Sequence, residues 1–307
     1  PGHSIALFAS YPGLSCTGVQ YPINVGSPYF KGTHEICVAN DSTWLVLDKI
    51  FTQVAALFPG KYIHVGGDEA QKKFWLNDPK DIALMQRENL QSGEELQSYF
   101  TGKLSKLINS KGKEITGWDE IVEGGLVPGS VVMSYRSIGR REPGGIEAAR
   151  KGHYMIMTPE KYTYLDYAQG DTLVEPISYR MLRLNTCYQF EPVPGGIDAK
   201  YILGGQGNLW TENVWNGRHA EYMTWPRSLA LAEVFWSPAN KRNWSSFIKR
   251  MERQFAYMDV AQVKYARSVY DPIITGVIDK EANGTKKSRM DTTFYPPFKG
   301  QWLNSAL

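Results

Sequence analysis

The sequence predicts an α/β fold with a parallel sheet, and three observations predict it. Strand-like and helix-like patterns alternate along the chain. Each predicted strand stops in polar or acidic residues. One strand, Tyr62-Ile63-His64-Val65, runs straight into Gly66-Gly67-Asp68-Glu69. Polar groups gathered at the C-terminal ends of parallel strands are how a (β/α)8 TIM-type barrel builds its site. Five strands are expected, at about 61–66, 113–118, 130–135, 153–157 and 201–206. A closed barrel has eight. The other three are expected before Pro1, so that the chain supplies about the last five βα units.

Taken in order, residues from about Ile5 to Asn40 are rich in Gly, Pro, Tyr and Ser and read as a long loop. Asp41-Ser42 open a helix to about Phe58, with Trp44, Leu47, Ile50, Phe51 and Val54 at helical spacing. Ser92-Gly93-Glu94-Glu95 is a capping box before a second helix, which Gly112 ends. A short helix is expected at about 145–151. An aromatic loop, Tyr162 to Tyr167, follows the fourth strand. A helical region from about Ala220 to Trp236 holds Pro226, which must kink or split it. Asn243 caps a last amphipathic helix to about Met258. The expected division is a catalytic barrel portion at 1–260 and a linker or accessory module at 261–307.

Composition narrows the function classes. The chain has 307 residues, 42% hydrophobic and 21% charged, with a net charge of +3. That charge argues against nucleic acid or a charged membrane surface as partner. No apolar run is long enough for a membrane span. Aromatic residues make up 13%, which suits sugar binding, because a pyranose offers an apolar C–H face. Cys16, Cys37 and Cys187 leave one thiol over if a disulfide forms, and Cys16 and Cys37 bracket one loop. Metal-spaced Cys/His clusters are absent, so neither metal nor other cofactor is expected.

Along a regular strand, adjacent Asp and Glu point to opposite faces. Asp68 and Glu69 share a pocket only if the chain bends, and Gly66-Gly67 permits that bend. The stretch HVGGDE resembles the signature of family 20 glycoside hydrolases, the β-N-acetylhexosaminidases. PGHS, GWDE, YLDY and GNLWTE follow that family's order, and the resemblance covers about residues 1 to 260.

The resemblance implies an exo-acting, retaining hydrolase of terminal β-linked GlcNAc or GalNAc. Its mechanism is substrate-assisted, through an oxazolinium. Glu69 matches the general acid, expected to be kept protonated by burial or by Asp68. Asp68 matches the residue that holds the acetamido N–H, and Tyr164 the partner of the acetamido oxygen. Trp118 and Trp210 match pocket walls, and Asp166 and Glu212 match binders of the outer hydroxyls. His3 and His64 match histidines that support the acids. Arg227 matches a structural tie from helix to barrel. The family's third tryptophan is replaced by Tyr135, and its early sugar-binding arginine would precede Pro1. The implied partner is a glycan, in a secreted or periplasmic setting, with the oligomeric state open. A lacto-N-biosidase-type enzyme and an inactive sugar-binding module are the alternatives. The family 18 acid string DxxDxDxE does not occur.

Overall fold

The computed structural model describes residues 1–16, 35–137, 143–170 and 180–267. The chain divides into two compact units, Pro1–Pro159 with Val193–Gly205, and Glu160–Pro192 with Gln206–Leu307.

The first unit carries the sheet. Strands β1 (Tyr62–His64), β2 (Glu114–Trp118), β3 (Val131–Ser134), β4 (Met155–Met157) and β5 (Ile202–Gly205) lie side by side in chain order, every neighbouring pair parallel. Ile63 faces Ile115, Gly117 faces Val132, and Met133 faces Ile156. All five fall where the sequence places them, trimmed at the ends. Every residue of β3 is buried, as expected for a strand of a parallel sheet covered on both faces. Each fully buried Ile or Leu side chain contributes about 2 kcal/mol of hydrophobic free energy.

Among the described residues this unit also holds the α-helices α1 (Ile5–Ser10), α2 (Asp41–Leu57), α3 (Pro79–Arg87), α4 (Gly93–Asn109) and α5 (Gly144–Arg150). The core joins Phe8, Trp75 and Leu84 to Leu96, Phe100, Leu104 and Ile108 of α4 and to Ile63 and Ile115 of the sheet. The α2 cap is Asn40, whose side chain accepts from Ser42 N at 3.0 Å, one residue earlier than the sequence suggests. Ser92 caps α4 through Glu95 N, but the Glu95 carboxylate reaches back to Gln91 N at 2.7 Å rather than to Ser92. Caps of this kind contribute about 1 kcal/mol each.

Two expectations need correction here. The expected loop at 5–40 contains α1 and a 3-10 turn at Pro12–Leu14, while residues 17–34 lie outside the described residues. Helix α3 was not expected, although Asp78-Pro79 is a start signal; the Asp78 carboxylate accepts from Lys80 N and Asp81 N, both at 3.0 Å. Cys16 and Cys37 are bridged, with Cα atoms 4.8 Å apart, and Cys187 is buried.

The second unit holds α6 (Glu160–Thr163), α7 (Leu184–Tyr188), α8 (Gly217–Thr224), α9 (Arg227–Trp236) and α10 (Trp244–Val260). The first turn of the expected aromatic loop is therefore helical. Pro226 splits the helical region, as its missing N–H requires, into α8 and α9. Asn243 caps α10, which buries Phe247, Ile248, Met251, Phe255 and Met258. Most of the expected accessory segment at 261–307 lies outside the described residues. Among the described residues no helix is long and apolar enough to cross a membrane.

Candidate active site

In the first unit the chain leaves β1 through a sharp bend. Gly66 and Gly67 have φ of +70° and +106°. A Cβ on Gly67 would sit 2.6 Å from Ile121 Cγ2, so the position needs glycine on two grounds. Glu69 itself has φ +51°, a left-handed conformation that costs a non-glycine residue roughly 1–2 kcal/mol. The bend is held from several sides. Trp118 N donates to Gly66 O at 2.9 Å, and Gln97 Nε2 donates to Gly67 O at 2.6 Å. Beyond Glu69, the buried Glu35 carboxylate accepts from Gln71 N at 2.6 Å and Lys72 N at 3.1 Å.

The bend brings both acids to one histidine. His3 Nε2 lies 3.0 Å from Asp68 Oδ2 and 3.4 Å from Glu69 Oε2. The hydrogen bonds to Asp68 and then Glu69 raise the His3 pKa to about 10, against the opposing effect of burial. Burial would push the Asp68 carboxyl up, but the His3 contact outweighs it and holds the group below its ordinary value. The Glu69 side chain is 65% exposed and that of Asp68 20%. Of the two means that the resemblance implies for keeping Glu69 protonated, burial or Asp68, burial is thus not what the structure has. The three ligand atoms lie within 4.8 Å of one another. His3, held protonated between two acids, has no lone pair to offer a metal.

His64 plays a different part from His3. Gly66 N donates to its Nδ1 at 3.1 Å, which leaves the proton on Nε2, and its ring meets Trp118 edge-on at 4.6 Å. Surrounding protein lowers its pKa, so it is neutral at pH 7. Trp118 in turn meets Tyr135 edge-on at 5.6 Å. The Tyr135 hydroxyl donates to Glu120 Oε1 at 2.6 Å, and Arg136 Nη2 lies 2.8 Å from the same oxygen. Asp119 is fully buried and accepts from Ser134 Oγ, Tyr135 N, Arg136 N and Gly145 N at 2.8–2.9 Å.

The remaining candidates stand in the second unit. Tyr164 pairs with Asn208 in a parallel bridge, and its ring meets Trp210 edge-on at 6.3 Å. Burial pushes its hydroxyl pKa up. Asp166 is buried, and burial, reinforced by Glu212, raises its carboxyl to about 6 despite Arg227. Trp210 and Glu212 are exposed. Arg227 is fully buried and donates to the carbonyls of Leu165, Tyr167, Leu182 and Met223 at 2.5–3.0 Å. The tie expected of Arg227 therefore clasps the segment that carries Tyr164 and Asp166. Glu35, Gln97 and Asp119 were missed as supports of the site. Their partners are distant in sequence, and apart from Ser134 Oγ on Asp119 they are backbone groups, so no pattern announces them.

The chain is 37% identical over 272 residues to a β-hexosaminidase of Porphyromonas gingivalis and 34% identical over 248 residues to one of Vibrio furnissii. These matches cover 86% and 76% of this chain but only 34% and 38% of those proteins, so the chain spans little more than a third of their length. Among solved structures, a family 20 exo-β-N-acetylglucosaminidase of Vibrio harveyi in complex with N-acetylglucosamine superposes with a TM-score of 0.75 at 29% identity, over 86% of this chain and 42% of that one. A Streptomyces plicatus β-hexosaminidase variant in complex with its product GlcNAc gives 0.73 at 28%, over 87% and 50%. The five consecutive parallel strands are thus those of a TIM-type barrel. The family model for the catalytic domain of glycosyl hydrolase family 20 matches residues 1–239, and the chain belongs to that family.

Proposed function

We propose that the whole protein is a retaining exo-β-N-acetylhexosaminidase that removes terminal β-linked GlcNAc or GalNAc from glycans by substrate assistance. The observation that carries this reading is the pair Asp68 and Glu69, turned together by a glycine bend at a strand end and bridged by His3. Glu69 is the general acid and base. Its carboxyl proton goes to the glycosidic oxygen as the C1–O bond breaks, and the acetamido oxygen of the same sugar bonds to C1 as an oxazolinium. Glu69, now a carboxylate, then takes a proton from the water that opens the ring. Asp68, held ionised by His3, accepts from the acetamido N–H and balances the positive charge of the intermediate.

In the first unit Trp118 and Tyr135 offer rings to the sugar; for the second unit the resemblance implies that Tyr164 orients the acetamido oxygen, Trp210 offers a further ring and Asp166 and Glu212 accept from the outer hydroxyls. His64 fixes Trp118 at the wall. The Tyr135 hydroxyl, already donated to Glu120, is used inside the wall, so Tyr135 presents ring rather than hydroxyl. Release of nitrophenol from nitrophenyl N-acetyl-β-glucosaminide and its galactosaminide epimer tests the activity. A thiazoline mimic of the oxazolinium tests the mechanism. Strong inhibition by the thiazoline, and weak inhibition by a sugar lacking the acetamide, is expected; equal inhibition would sink substrate assistance. The glycan partner and an extracellular or periplasmic setting follow from this reading.

A further inference from the structure

Residues Glu35, Ile36 and Cys37 reach both sides of the acid site, and all of these contacts lie in the first unit. On one side, Ile36 N donates to Pro1 O at 3.2 Å, and Ser4 Oγ donates to the same oxygen at 3.0 Å. These bonds hold the turn that carries His3. Gly2 in that turn is buried so closely on the acid loop that a Cβ there would sit 2.9 Å from Asp68 O. On the other side, the Glu35 carboxylate takes Gln71 N and Lys72 N, two and three residues beyond Glu69. That loop needs holding. Glu69 and Lys72 are both left-handed, at φ +51° and +63°, and such conformations persist only where the surroundings enforce them. Lys72 Nζ also lies 3.4 Å from Glu123 Oε2, so loss of Glu35 shifts the loop rather than releasing it.

The segment is itself anchored. Ile36 O accepts from Trp75 Nε1 at 2.9 Å, Cys37 N donates to Leu14 O at 2.9 Å, and Cys37 is bridged to Cys16. Glu35, Ile36 and Cys37 are buried. Cys16 is half-buried, which leaves one end of the bridge within reach of a small reductant.

We propose that Glu35, seated by the Cys16–Cys37 bridge, is a positioning residue that sets Glu69 and His3 in register for catalysis. It rests on the hexosaminidase reading above. Its test is nitrophenol release from nitrophenyl N-acetyl-β-glucosaminide by the full-length protein, with urea midpoints measured alongside. Glu35→Ala should lower kcat about 10²-fold, the scale of a misplaced catalytic group. KM should stay close to wild type, because the rings of Trp118 and Tyr135 stand on other strands. Glu35→Gln keeps an oxygen that accepts from Gln71 N and Lys72 N, and should restore most of kcat. Dithiothreitol gives two electrons and two protons, opens the bridge to two thiols and itself closes to a disulfide. That treatment should lower wild-type kcat about tenfold, a smaller loss because Glu35 remains. The double variant Cys16→Ser/Cys37→Ser should start low and not respond to dithiothreitol. A folded Glu35→Ala with wild-type kcat and only a lower urea midpoint overturns the proposal. Should Glu35→Ala not fold, the reduced wild type decides, and an unchanged kcat there overturns it. If wild type releases no nitrophenol, the activity reading fails, and NMR titration of the His3 imidazole still decides the strut. Asp68 and Glu69 hold that ring at about 10; in Glu35→Ala or the reduced protein it should titrate nearer 6.5, and an unmoved titration overturns the proposal.

Discussion

The first unit contains the dipeptide Asp-Glu twice at a strand end, after β1 as Asp68-Glu69 and after β2 as Asp119-Glu120. The two pairs have opposite fates. Asp119 is fully buried and is saturated by four donors from its own unit. Glu120 is buried between Tyr135 and Arg136. Asp68 and Glu69 both meet His3, and Glu69 remains mostly exposed. The difference lies in backbone. After β2 the chain coils at once into a 3-10 turn, and neighbouring N–H groups converge on Asp119. After β1 two glycines and a left-handed Glu69 turn the acids to His3 instead. A buried carboxylate held by four donors is scaffolding; an exposed one can meet a substrate.

The largest effects come from exchanging these roles. Glu69→Gln should lower kcat by about 10²–10⁴-fold, the usual share of a general acid. It should leave the denaturant midpoint close to wild type, because the side chain is exposed and exposed substitutions stay within about 0.5 kcal/mol. Asp119→Ala should do the reverse. It strips one acceptor from four buried donors and should cost about 3 kcal/mol or more in urea unfolding, with activity per folded molecule retained. If Asp119→Ala unfolds at the wild-type midpoint, the assignment of Asp119 as scaffold is wrong. Tyr135→Phe tests the same pair more gently. Glu120 keeps Arg136 and loses one hydroxyl, so about 1 kcal/mol is expected from the same unfolding curve.

The contrast also marks where sequence reading stops. Strand periodicity, the glycine pair and the acids behind it are local, and they placed β1 to β5 and the bend correctly. Asn243 and Pro226 were equally plain, since a cap and a missing N–H act within a few residues. The two Asp-Glu pairs, by contrast, look alike in sequence. What separates them is Gly145 N, 26 positions beyond Asp119, and His3, 65 positions before Asp68. Glu35 supports the loop after Glu69 through backbone N–H groups alone, so no partner residue type betrays it. Helix α3 was legible in Asp78-Pro79, a local cap and start signal like Asn243.

The smallest effect separates the pairs by pH. His3 has its pKa raised to about 10 in the fold. The stability it contributes is fully present below its unfolded value near 6.5 and is lost as pH rises towards 10. Asp68 has its pKa lowered, so its contribution is present above about 3.8 and is lost as pH falls through its folded value. The wild-type minus His3→Gln difference in unfolding free energy should therefore form a plateau between about pH 4 and 6.5 and fade on both sides. Because the His3 side chain is 57% exposed, solvent screening limits the plateau to roughly 1 kcal/mol. Asp119, which meets no histidine, should add nothing to that difference. A curve flat from pH 4 to 10 would mean that His3 and Asp68 do not pair in solution. The bend would then present two carboxylates without His3 between them.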